Sequence, residues 1–164
     1  MERITDMQIR STQEALYIAC EMERGAVQLY ERALMLLKSQ DRDREPLRAQ
    51  ISYMLADEKQ HLSQFMELFT GLNSEAERVL TLGAITADIL FPGGLMGAVR
   101  QGLLSDEKGM LAFAAAAEAT AAQTYRAFAA QCDDPRAAEM LLGIALEEDK
   151  HLRSLNDHQG MLDA

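Results

Sequence analysis

The sequence predicts an all-α protein, a four-helix bundle with a long crossover between helices 2 and 3. Three observations carry this reading. Apolar residues recur with helical period over four long segments. Alanine, leucine, methionine, glutamate and arginine dominate, which is a helix-forming composition. Only three prolines occur in 164 residues, so those segments run on without breaks. A chain of this length is expected to form a single domain, residues 1–164, with a core that needs no staples.

The first helix is expected from Ser11 to Ser39. Ser11 followed by Glu14 reads as a capping box, and Leu16, Ala19, Glu23, Val27, Tyr30, Leu34 and Leu37 fall on one stripe. The second runs from Pro46 to about Phe69, opened by proline in the first turn and closed near Gly71. Its stripe is Ile51, Met54, Leu55, Glu58, His61, Leu62, Phe65 and Leu68. The third starts after Ser105, with Asp106 and Glu107 in the first turn, and continues to about Ala130 through Leu111, Ala114, Glu118, Ala122, Tyr125 and Phe128. The fourth opens at Asp134 and Pro135 and runs to about His158, with Leu141, Ala145, Glu148, Leu152 and Leu155 facing in.

The stretch from Phe69 to Ser105 is too long for a hairpin loop. Val79 to Phe91 is apolar and reads as partly helical, Pro92-Gly93-Gly94 breaks it, and Leu95 to Leu103 forms a short helix. Such a linker returns the chain along the bundle. Asp88 and the Pro-Gly-Gly break make Val79 to Val99 a poor membrane span.

A net charge of −10 excludes a general nucleic-acid binder, for there is no basic stripe to neutralise phosphates, and disfavours docking on an anionic membrane. Cys20 and Cys132 are the two cysteines, with no CxxC pair for a zinc knuckle, a redox dithiol or an iron–thiolate centre. Met1 to Arg10 is polar and does not resemble a signal peptide, so a reducing, cytoplasmic setting is expected.

Each helical stripe carries one glutamate where an ordinary core would carry leucine. Glu23, Glu58, Glu118 and Glu148 come 12, 12, 13 and 14 residues after Ser11, Pro46, Ser105 and Asp134, so they are expected at nearly one depth in the bundle. The two halves of the chain also repeat. Residues 56–62 read ADEKQHL and residues 146–152 read LEEDKHL, each with an acid, then Glu, two residues, His and Leu. Glu23 precedes Tyr30 by seven residues, as Glu118 precedes Tyr125. Each half is thus a Glu-x6-Tyr helix followed by a Glu-x-x-His helix, a duplication that builds a site about a pseudo-twofold axis.

In Glu-x-x-His both side chains lie one turn apart on one face and reach one metal region. A lone copy is a weak signal; two copies on buried stripes, with a buried glutamate in each remaining helix, form a metal-binding constellation. A carboxylate can bridge two ions through its two oxygens, whereas an imidazole binds one. Glu58 and Glu148 are therefore expected to bridge, His61 and His151 to cap one ion each, and Glu23 and Glu118 to be terminal ligands. Four carboxylates balance two divalent cations; without metal they repel one another and must take up protons or let the bundle open. Oxygen-rich ligation with one histidine per ion suits iron or manganese better than structural zinc. Tyr30 and Tyr125 are candidates for hydrogen bonds to the ligands. Glu21, Asp57 and Glu147 read as solvent-facing or as ligand partners, and Cys20 as a small buried hydrophobe.

Those residues, in EMERGAVQLY, AEATAAQTY, DEKQH and EEDKH, resemble the ferritin-like di-iron carboxylate proteins, and among them the rubrerythrin group, across almost the whole chain. The resemblance implies a ferritin-like bundle holding two iron ions, with manganese as the other candidate, at Glu23, Glu58, His61, Glu118, Glu148 and His151. It implies a non-haem centre that reduces hydrogen peroxide or dioxygen. Rubrerythrins pass electrons through a C-terminal rubredoxin domain; this chain reaches Ala164 without such cysteines, so a separate electron donor is expected. The rubrerythrin third helix carries a further glutamate one turn after its ligand, where this chain has Ala121, and the remaining set is closer to the bacterioferritin centre. Iron handling by ferroxidation and storage, or a purely structural di-metal site, are the alternatives, and a homodimer or larger homo-oligomer is expected.

Overall fold

A computed structural model describes residues 7–37, 42–71 and 94–163. Its helices are α1 (Thr12–Leu36), α2 (Glu45–Gly71), α3 (Gly94–Arg100), α4 (Glu107–Ala129) and α5 (Pro135–Asp163), with a 3-10 turn at Arg42–Arg44 before α2. The four long helices predicted from periodicity are present, and α3 sits in the crossover between α2 and α4.

Local chemistry sets the ends. Ser11 Oγ accepts the Glu14 backbone N–H at 3.1 Å and so caps α1. The Glu14 carboxylate reaches one residue beyond the reciprocal capping-box partner and accepts from Arg10 N at 2.7 Å. Asp106 stands outside α4 as its cap, accepting from Gly109 N at 2.7 Å, rather than inside the first turn. Gly109 has no room for a side chain, because a Cβ there would lie 2.5 Å from the Leu103 carbonyl oxygen. Pro135 occupies the first position of α5, and Asp134 accepts from Arg136 N at 2.9 Å. α5 runs on to Asp163, past the expected His158. The expected short helix from Leu95 is one turn shorter, since Gly102, at φ 73, closes it and Leu103 N bonds to the Ala98 carbonyl at 3.1 Å. Val79 to Phe91 lies outside the described residues, as do Ser39 and the residues beside it.

α1 pairs with α2, α4 pairs with α5, and the two hairpins close on each other through α1 against α4 and α2 against α5. Side-chain partners fix the directions. Tyr30 meets Glu118 while Glu23 meets Tyr125, so α1 and α4 are antiparallel. His61 meets Glu147 while His151 meets Asp57, so α2 and α5 are antiparallel too. α2 and α4 therefore run the same way, so the end of α2 and the start of α4 lie at opposite ends of the bundle. That distance is about 40 Å for the 27 residues of α2. This is a ferritin-like four-helix bundle with a long crossover.

The interior is apolar at both ends of the bundle, with Leu16, Ile51, Phe65, Leu111, Phe128, Leu141 and Leu155 fully buried. Each such side chain contributes about 1.5–3 kcal/mol through burial. Val27, Leu34, Leu55, Leu62 and Leu152 are only half-buried, because they stand on the shoulders of their stripes. Between the apolar layers lies a band of charge. Among the described residues, no helix is long and apolar enough to cross a membrane.

Candidate metal centre

The four long helices deliver six ionisable side chains to that band. Glu23 comes from α1, Glu58 and His61 from α2, Glu118 from α4, and Glu148 and His151 from α5; all six are buried, none more than 3% exposed. Carboxylates in such a place are costly unless something compensates them.

Their donor atoms fall into two groups, each within 4.8 Å across: Glu23, Glu58, His61 and Glu148 in one, Glu58, Glu118, Glu148 and His151 in the other. Oxygen and nitrogen ligands about 2.0–2.2 Å from one ion span up to about 4.4 Å, so rotamer adjustments of a few tenths of an ångström close either group. Glu58 and Glu148 belong to both. The two imidazole rings lie 6.0 Å apart, nearly parallel. His61 Nδ1 lies 3.0 Å from Glu148 Oε1 and 3.3 Å from Glu58 Oε2. His151 Nδ1 lies 3.1 Å from Glu58 Oε1 and 3.6 Å from both Glu118 Oε2 and Glu148 Oε2.

Proximity is not satisfaction here. Among the described residues, five buried side-chain polar atoms lack a hydrogen-bond partner, and four belong to this cluster: Glu23 Oε2, Glu58 Oε1, Glu148 Oε1 and His151 Nδ1. Buried polar groups in folded proteins are nearly always paired, so four orphans aimed at one small volume mark a missing partner. Oxygen and imidazole donors in this arrangement fit divalent cations, and two such ions would neutralise the four carboxylates. The cluster could therefore hold a dinuclear metal centre.

The surroundings hold the donors in place. Tyr125 donates to Glu23 Oε1 at 2.6 Å, and Tyr30 donates to Glu118 Oε1. Each tyrosine thus serves the glutamate of the other half, because α1 and α4 are antiparallel and seven residues along one helix lead to the glutamate of the other. On the opposite face the imidazoles are tied through their outer nitrogens: His61 Nε2 lies 2.5 Å from Glu147 Oε2, and His151 Nε2 3.1 Å from Asp57 Oδ2. A carboxylate on Nε2 keeps the proton there and leaves Nδ1 to face the cluster. These pairs also cross between the halves. Asp57 and Glu147 are the acids preceding Glu58 and Glu148 in the repeat; the repeat itself was their signal, and only antiparallel packing assigns their partners.

Electrostatics follows from burial. Desolvation, then the Glu58 carboxylate, pushes Glu23 up to about 8. Desolvation and Glu148 hold Glu118 well above the carboxylate range. Burial opposes charge on the imidazoles, but Glu148, Glu23 and Glu58 around His61 outweigh it and raise its pKa, as Glu118, Glu148 and Glu58 do for His151. Burial and the neighbouring carboxylates also raise Tyr30 and Tyr125, which stay protonated as donors. Protons thus take the place of cations wherever no cation is bound. Burial likewise pushes Cys20 up to about 12, so its thiol is inert.

Comparison with protein-family models, with curated proteins and with solved structures finds no match to this chain.

Proposed function

We propose that this protein is a non-haem di-iron oxidoreductase of rubrerythrin-like type that reduces hydrogen peroxide or dioxygen with electrons from an external donor. The observation that carries this reading is the membership of Glu58 and Glu148 in both donor groups, with orphaned oxygens on each. Glu58 and Glu148, common to both groups, would hold two ions within reach of one small molecule, on which they could act together. Glu58 and Glu148 would bridge, Glu23 and Glu118 would be terminal ligands, and His61 and His151 would each complete one ion.

When bound, two ferrous ions supply the two electrons that reduce peroxide to water. The protein does the rest. The apolar layers around the band exclude bulk water. Tyr30 and Tyr125 orient Glu118 and Glu23 through one oxygen each, and the other oxygen of Glu23 is left without a hydrogen-bond partner. Asp57 and Glu147 fix the imidazole tautomers. Electrons would reach the centre from a separate donor molecule, an exchange that a reducing cytoplasm suits.

The test is metal analysis of protein purified without chelators, with absorption spectra before and after reduction and after peroxide. Iron near two per chain, oxidised faster by peroxide than by dioxygen and reset by a donor, supports the peroxidase reading. Oxidation by dioxygen at least as fast as by peroxide removes it. Ala121, where rubrerythrins carry a further glutamate, favours a second reading as a ferroxidase that stores or delivers iron. Storage requires a large closed cage, so a dimer in solution excludes it.

A further inference from the structure

The carboxylate cluster has two unlike faces. Towards α2 and α5 it is closed by the imidazole rings and their acid partners, and the polar groove beyond, lined in part by Gln60, Gln64 and Ser154, lies outside that wall. Towards α1 and α4 it borders a cavity of about 10 Å³ for the centre of a water-sized molecule. Glu23, Glu58, Glu118 and Glu148 form the floor of this cavity, while neither His61 nor His151 lines it. Three of the residues on that floor, Glu23, Glu58 and Glu148, each carry an orphaned oxygen.

The walls set what can occupy it. Met22, Leu29, Tyr30 and Tyr125 are sealed from solvent, at 1% exposure or less. The remaining lining residues, Ala26, Ala117 and Ala121, are small; Ala26 is half-buried and the other two each keep 6% exposure. The cavity therefore meets the surface at the alanines, where α1 and α4 touch less extensively than the helices within either hairpin. A space of this volume admits about one water-sized molecule. The apolar side chains of its walls favour a neutral molecule over an ion, which would lose its hydration on entry.

We infer that the α1–α4 seam at Ala26, Ala117 and Ala121 is the port and size filter through which a small neutral molecule reaches the cluster, an inference that rests on the di-metal reading above. Side-chain volume at these three positions decides which oxidants enter. Hydrogen peroxide and dioxygen, with two heavy atoms each, pass; an alkyl hydroperoxide does not.

The test uses protein loaded anaerobically with two ferrous ions per chain and mixed rapidly with nitric oxide, a small neutral ligand whose binding to ferrous iron is followed by absorbance. Ala121→Leu fills the cavity and Ala26→Leu, at the half-buried rim, narrows its mouth with less demand on the core. Gln60→Leu, on the far face, is the control. Both alanine variants should bind nitric oxide about tenfold or more slowly than the parent, at unchanged ferrous stoichiometry, and Gln60→Leu should match the parent. Since Ala121→Leu overpacks the interior, Ala26→Leu decides the matter if the first variant does not fold. Parent-like rates in the folded alanine variants, or slowing in Gln60→Leu alone, overturn the port. Oxidation of the parent by tert-butyl hydroperoxide as fast as by hydrogen peroxide overturns the size filter. A parent that takes up no ferrous ions overturns the di-metal reading, and the port with it.

Discussion

Tyr125 donates its hydroxyl proton to Glu23 Oε1 at 2.6 Å, across the α1–α4 seam, while Glu23 Oε2 faces the cluster without a partner. One oxygen of Glu23 is held so that the other is free, and Tyr30 likewise holds one oxygen of Glu118. Removing the hydroxyl should loosen the ligand without emptying the core. Tyr125→Phe and Tyr30→Phe are each expected to lower affinity for two divalent ions about 10–100-fold. The metal-free protein should lose only about 1–3 kcal/mol, the scale of leaving one buried acceptor without its hydrogen bond. Competition titration against a chromophoric chelator, beside denaturant melts, measures both. Parent affinity in the two variants would show that the tyrosines merely fill space.

Asp57 and Glu147 offer a matched pair of tests that are not equivalent. The Asp57 side chain is 24% exposed and that of Glu147 49%, so water can replace the second more readily than the first. Asp57→Asn should therefore weaken metal binding more than Glu147→Gln, and the same titration ranks them. Equal effects, or the reverse order, would mean that the imidazoles are oriented by something else.

Proton linkage makes opposite predictions for metal-free and metal-loaded protein. Glu23 is raised from 4.5 to about 8 in the fold, so between those values the folded chain holds a proton that the unfolded chain has lost. His61 and His151 are raised above 6.5, and from that pH upward they add to the same imbalance. The stability these groups give the chelated protein is thus fully present only below about pH 4.5 and falls as pH rises. Bound cations displace these protons, so loading strengthens over the same window. Thermal melts should place chelated protein several degrees higher near pH 5.5 than near pH 8.5, with the gain from added metal growing towards pH 8.5. A chelated protein that melts higher at the alkaline pH would contradict the assigned burial of these groups.

Much of this was legible in the sequence, for identifiable reasons. A glutamate on an apolar stripe is conspicuous because burial of a carboxylate is costly, and the two Glu-x-x-His copies could be aligned by eye. The fold followed from helical period and from a linker too long for a hairpin. What stayed hidden depended on which residue faces which across helices. Sequence placed Tyr30 beside Glu23 and Tyr125 beside Glu118, seven residues apart on the same helices; antiparallel packing exchanges the partners. The acid before each ligand glutamate was visible in the repeat, yet its contact with the other half's histidine is a property of the α2–α5 interface. The alanine-walled cavity was beyond reach, because an alanine in a helix usually means only that it packs closely.

The most direct test of the shared centre is the stoichiometry of ferrous or cobaltous binding in Glu58→Ala and Glu148→Ala, set beside Glu23→Ala and Glu118→Ala. The parent should bind two ions per chain. Loss of a shared carboxylate removes a ligand from both donor groups, so Glu58→Ala and Glu148→Ala should lose tight binding of both ions, whereas Glu23→Ala and Glu118→Ala should each weaken one. Chelated Glu58→Ala should meanwhile melt no lower than the parent once the cavity it leaves is allowed for, since a repulsive buried group has gone. Two ions bound by Glu58→Ala and Glu148→Ala as tightly as by the parent, or none bound by the parent, would contradict a dinuclear centre built on these residues.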